Sequence, residues 1–128
     1  MFSTRDNVSM KAKTLAYKIV DLAQDKKAKQ IMVIDLNGLT GIADFFVLMS
    51  GESDIQIKAI ADHITRELKN IKIRVYHKEG FTSLRWVLLD YVDVVVHIFK
   101  PESREFYGLE RLWGDAKIDF IMDENHAG

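Results

Sequence analysis

A chain of 128 residues, 48% hydrophobic and 29% charged with a single proline, is long enough for one hydrophobic core and too apolar to remain unfolded. It contains no cysteine, which excludes disulfides, thiolate catalysis, iron–sulfur clusters and Cys-ligated zinc. A formal net charge of −1 gives no general attraction to nucleic acid, so any contact with RNA has to be local or mediated by protein.

From about Ser9 to Lys29, Ala12, Leu15, Ala16, Ile19, Leu22 and Ala23 recur at helical spacing, which predicts an amphipathic helix. The opening "MFSTRDNVSMKAK" has no apolar signal core, and runs such as "FFVLM" and "VVVHIF" are far too short to span a bilayer. A cytoplasmic protein is expected, with no membrane contact. "QIMVIDL" is the near-continuous apolar run of a strand covered on both faces, placed inside a sheet. After the turn-like "NGLTG", "DFFVLMSG" predicts a second strand. Ser53 with Gln56 three residues on makes a capping box that opens a helix with a buried stripe of Ile57, Ile60, Ala61, Ile64 and Leu68.

The order strand, helix, strand from Phe45 through "IKIRVYH" implies a right-handed crossover and a parallel pair. Two further strands beyond "KEGFTS" lie close enough for an antiparallel hairpin. Pro101 stands where a third helix can start, with Phe106, Leu109, Leu112 and Trp113 as its apolar face and Gly108 as a potential break. The expected architecture is a single α/β (mixed α+β) domain, with a mixed sheet of about five strands and flanking helices. Residues 1–116 form the domain and 117–128 a partly disordered extension, in which "IDFIM" reads equally as a short strand or a helix.

"WVLLDYVDVVVHIF", Trp86 to Phe99, places two carboxylates and an imidazole in an apolar setting. Asp90 and Asp93 fall at the mouth of the hairpin, where aspartate commonly bonds nearby backbone amides. On the second strand Val94, Val96 and Ile98 share a core face, while Asp93, Val95, His97 and Phe99 share a mixed face that could be a site. Zinc needs three or four ligands and only Asp93 and His97 align here, so a hydrogen-bonded structural histidine is the simpler reading, with no metal and no cofactor.

Three stretches, "IADFFVLMSGESDIQIKAIADHI", "WVLLDYVDVVVHIF" and "PESREFYGLERLWGDA", in this order and at this spacing, closely resemble the Iojap-like family of ribosomal silencing factors. The resemblance implies a fold of nucleotidyltransferase-like topology without established catalysis. It also implies a translational repressor that binds the large ribosomal subunit through ribosomal protein L-fourteen and blocks joining of the small subunit when nutrients are scarce. Family members are often described as homodimers. Carried over by position, the partner surface falls on Trp86, Asp90 and Tyr91, with Asp93 and His97 as neighbours. Trp86 and Tyr91 fall on opposite faces of an ideal strand, so a contact of Tyr91 with a shared partner has to come from the turn itself.

Two departures from the family pattern bear on this surface. Val92 replaces the usual turn glycine, implying another turn type or local strain. Gly108 replaces a residue that is usually acidic and leaves Tyr107, Glu110, Arg111 and Trp113 as matching positions, read first as docking a helix on the sheet.

Two rival readings remain. A metal-dependent nucleotidyl transfer would use Ser50-Gly51 with Asp90 and Asp93. However, "SGESD" offers one glycine and two acids where a phosphate cradle wants amides and positive charge. A direct RNA-binding module would use Lys26, Lys27 and Lys29, which lack an aromatic platform and read as a solvated helix end. Ribosomal RNA contact is then incidental to docking.

Overall fold

The protein is described from a computed structural model that covers residues 11–39, 41–103 and 116–122. Helix α1 (Ala12–Asp25) buries Leu15, Ala16, Ile19, Val20, Leu22 and Ala23, the stripe set by its apolar spacing. It stops several residues before the predicted end near Lys29. Lys27 adopts φ +62°, its N–H bonds the Gln24 carbonyl at 2.9 Å, and the Ala28 N–H bonds the Ala23 carbonyl at 3.1 Å. This is a Schellman end with lysine where glycine usually stands. Helix α2 (Asp54–Asn70) ends in the same way. Lys72 has φ +68°, and the N–H groups of Lys72 and Ile73 bond Lys69 and Leu68 at 2.9 and 2.8 Å.

The predicted cap of α2 is present and extended. Ser53 Oγ accepts the Gln56 N–H at 3.1 Å, while Gln56 Oε1 accepts from the Glu52 N–H at 2.8 Å, one residue earlier than in a standard capping box. The same side chain donates from Nε2 to the carbonyls of Lys26 and Lys27, both at 3.1 Å. Gln56 thus joins the start of α2 to the end of α1. Below it, Ile57, Ile60, Ala61, Ile64 and Leu68 are buried as the sequence predicts.

Six strands are described: β1 (Lys29–Asp35), β2 (Phe45–Ser50), β3 (His77–Glu79), β4 (Trp86–Asp90), β5 (Val94–Phe99) and β6 (Lys117–Phe120). They form one sheet in the order β3-β4-β5-β2-β1-β6. The parallel pair is β2 with β5; the other neighbouring pairs are antiparallel. The crossover from β2 therefore needs correction. "IKIRVYH" contributes only its histidine to a short edge strand, which runs in the sense of β2 but lies three positions away. The β4–β5 hairpin fills the space between them, with β5, whose residues are buried on both faces, placed inside next to β2.

Residues 117–120, ambiguous in sequence, pair as β6 with β1, and the Tyr17 hydroxyl donates to Asp119 Oδ2 at 2.6 Å to tie α1 to that strand. Residues 101–103 are helical, as Pro101 suggested; Phe106, Tyr107, Gly108, Leu109, Glu110, Arg111, Leu112 and Trp113 lie outside the described residues.

Alternation divides the strand side chains between two cores. Val33, Val47, Met49, Val87, Val96 and Ile98 join the helices on one face. Ile34, Leu36, Phe46, Leu48, Val95 and Phe99 make a second apolar cluster on the other. Among the described residues, no helix is long and apolar enough to cross a membrane.

Candidate functional site

The β4–β5 hairpin sets the site. Register places Trp86 opposite Phe99, Leu88 opposite His97 and Asp90 opposite Val95, all directed to the second core rather than to the helices. The mixed face of β5 is therefore interior: His97 is only 4% exposed and Phe99 is fully buried. Trp86 reaches diagonally across the pair, and its indole Nε1–H donates to His97 Nδ1 at 3.0 Å. The indole also stacks on Phe99 at 5.1 Å between ring centres, and Phe46 leans against the imidazole at 4.6 Å.

That hydrogen bond fixes the histidine's state. An Nδ1 that accepts cannot carry a proton, so the ring is neutral with its hydrogen on Nε2. Nε2 is buried without a hydrogen-bond partner. Burial lowers the His97 pKa from 6.5 to about 4, in agreement with a neutral ring. The imidazole acts as a fixed acceptor that orients Trp86. Among the described residues, no group of three His, Cys, Asp or Glu side chains gathers in the manner a metal ion needs.

The aspartates have a different task. Asp90 Oδ1 accepts the Val92 N–H at 2.7 Å, the local bond expected of aspartate at a turn. The turn is closed by Tyr91 N–H on the Val94 carbonyl and by Asp93 N–H on the Tyr91 carbonyl, both at 2.9 Å. The second bond, with Val92 at φ +74°, describes a γ-type turn of the rare positive-φ kind, so the strain implied by the missing glycine is present. The Asp93 carbonyl accepts from the N–H groups of Asp44 at 2.8 Å and Phe45 at 3.1 Å, fastening the β1–β2 loop beside the turn.

The five sequence-derived residues therefore fall into three places. Trp86 and His97 meet on the second core. Asp90 and Asp93 shape the turn, about 14 Å further along β4 at the usual rise per residue. Tyr91 points the other way, 7% exposed in the helix-covered core, with its hydroxyl unpartnered and its pKa pushed well above the usual tyrosine range by burial. Sequence reasoning overlooked the neighbours of the turn. Leu39 and Ile42, 45% and 68% exposed, stand on the β1–β2 loop, which lies at the same end of the sheet as the turn and its exposed Val92. The detectable signal was two branched aliphatics inside the glycine-bounded loop "NGLTGIAD".

The parts of a nucleotidyl-transfer site are separated. Ser50 and Gly51 stand at the Phe99 end of the β2–β5 pair and the aspartates at the Val94 end, about 16 Å apart along the strands. Ser50 Oγ is also engaged, donating to Gln30 Oε1 at 3.2 Å.

A family model described as "Ribosomal silencing factor during starvation" matches residues 9–127. The ribosomal silencing factor RsfS of Bacillus subtilis is 44% identical over 103 residues, covering 78% of this chain and 87% of that protein. The chloroplastic protein Iojap of Zea mays is 33% identical over 106 residues, covering 80% of this chain and 45% of that longer one. Among solved structures, a crystal structure from Chromobacterium violaceum superposes with a TM-score of 0.80 at 31% identity, covering 93% of this chain and all of the other. One from Bacillus halodurans gives 0.72 at 37% identity, covering 79% of this chain and 94% of the other.

Proposed function

Because this chain belongs to the family of ribosomal silencing factors that act during starvation, proteins of translation regulation rather than enzymes, we propose that it silences by occupying space. It binds the large ribosomal subunit from the cytoplasm, through ribosomal protein L-fourteen, and fills volume that the small subunit needs in order to join. No turnover is required for this, and no group of the hairpin is set up for it.

The observation that carries this reading is the preorganised indole. Trp86 is half-buried and held by a hydrogen bond to His97 and a stack on Phe99, so presenting it to a partner loses little side-chain freedom. At the turn end of the sheet, Val92, Leu39 and Ile42 supply exposed apolar area, and Asp90 and Asp93 form a polar rim able to meet basic groups. His97 contributes by positioning Trp86. Tyr91 contributes by anchoring the turn in the core.

Sedimentation of purified subunits tests the reading. The protein should travel with the large subunit alone and reduce the yield of joined ribosomes in proportion to its occupancy. Trp86→Ala should lower that affinity, with circular dichroism to establish that the variant is folded and Trp86→Phe to retain a ring without the N–H. Undiminished joining at saturation would refute steric silencing. A folded Trp86→Ala that binds as before would refute the indole's role alone.

A further inference from the structure

The second half of α2 and the extended segment after it frame a depression of about 440 Å³, lined by Thr65, Arg66, Lys69, Arg74, Val75 and Lys78. Four of these six side chains are cationic, on a chain whose net charge is −1. Arg66 Nε has the Glu67 carboxylate at 4.0 Å, the outer limit of an ion pair between two exposed side chains. Among the described residues, no carboxylate lies within 4.0 Å of Lys69, Arg74 or Lys78. The neighbouring Glu79 is held by His77 at 2.6 Å.

The fold fixes this arrangement. The Schellman turn at Lys72 sets the direction in which the chain leaves α2, and Ile73 and Val75 pack against the helix-covered core. Lys78 pairs with Leu89, whose side chain enters that same core, so the lysine stands on the α2 side of the sheet. Its Nζ lies 5.2 Å from the centre of the Phe81 ring. Tyr76, two residues from each of Arg74 and Lys78 along the chain and 77% exposed, adjoins the lining residues in sequence without lining the depression, and its backbone N–H is held by the Asp90 carbonyl at 2.8 Å. An unneutralised basic groove beside an exposed aromatic ring is the combination that grips single strands, because cations track the phosphates while the ring stacks a base.

We propose that this depression binds a single-stranded RNA segment, with Arg66, Lys69, Arg74 and Lys78 on the phosphates and Tyr76 against a base. The binding itself is independent of the silencing reading. Only the identification of that segment as ribosomal RNA rests on it.

The test is fluorescence anisotropy of the full chain with a labelled oligouridylate, and with sodium tripolyphosphate as competitor. If four phosphates are neutralised, affinity should fall about 50-fold between about 50 and about 200 mM salt. The combined variant Lys69→Ala, Arg74→Ala, Lys78→Ala should bind at least about tenfold more weakly with a flatter salt dependence, and Lys69→Arg with Lys78→Arg should bind like the parent. Tyr76→Ala should weaken oligouridylate about fivefold or more while leaving the inhibition constant of tripolyphosphate unchanged. Equal binding by the parent and the triple alanine variant would overturn the site. Loss of RNA binding in the triple variant with none in Tyr76→Ala would overturn the RNA assignment in favour of a plain anion pocket. Trp86→Ala should retain oligouridylate binding, so failure of the ribosomal reading and failure of this one are separable.

Discussion

Lowering the pH from about 7.5 to about 5 is expected to cost the folded chain about 2 kcal/mol through His97 alone. The unfolded imidazole titrates near 6.5 and the folded one at about 4, because burial opposes its charge. In the interval between those values the unfolded chain takes up the proton and the folded chain does not. The stability contributed by His97 is therefore complete above the unfolded pKa and is lost as pH falls toward the folded one. Its full extent, reached below about pH 4, is about 3 kcal/mol. Protonation would also turn Nδ1 into a donor facing the indole N–H 3.0 Å away, so the charged ring would lose the bond that places Trp86.

Urea unfolding followed by tryptophan fluorescence at the two pH values measures this, with His97→Gln as the control. That variant keeps an acceptor within reach of the indole and does not titrate. Between the two pH values the parent's midpoint should fall by roughly 1 M more than the midpoint of His97→Gln. Parallel losses in the two proteins would show that His97 is not the group responsible, and an NMR titration placing the folded His97 near 6.5 would refute the argument directly.

Other substitutions probe the frame around the hairpin. Val92→Gly should stabilise by about 0.5–1 kcal/mol, since relief of a positive-φ valine exceeds the added freedom of glycine and the 56% exposed side chain packs little; urea titration reads it. Gly80→Ala should lose about 3 kcal/mol or more by thermal unfolding, because Gly80 sits at φ +90° and a Cβ there would overlap the Trp86 carbonyl. Gln56→Ala should cost about 2 kcal/mol, against about 1 for Ser53→Ala, since Gln56 bonds Glu52 and two carbonyls of the α1 end. Hydrogen exchange should report the Gln56 loss at both helix ends and the Ser53 loss at α2 alone.

Legibility tracked the range of the interaction. The α2 cap and stripe were readable because Ser53, Gln56 and the Ile57–Leu68 series act within a few residues of one another. The helix ends were not, because the positive-φ positions of both Schellman turns hold lysine, which carries no glycine signal. Asp90 behaved as turn chemistry suggested. The structural reading of His97 agrees with its hydrogen bond to Trp86, but the cover over the mixed face of β5 was not legible. His97 is covered by a second apolar cluster whose buried members come from β1, β2, β5 and the β1–β2 loop, so its burial is set by residues distant in the chain.

The sequence by itself determined the periodic elements, the hairpin and the family, since each is written in adjacent residues or in their ordered spacing. Only the tertiary structure decided that β5 lies beside β2, that β6 joins the sheet and that "IKIRVYH" yields an edge strand. It also decided that Trp86 meets His97 and that the cations of α2 converge with those of the following segment. The reason is physical: strand neighbours are chosen by which faces can be buried together, a comparison among all elements at once that no local window contains.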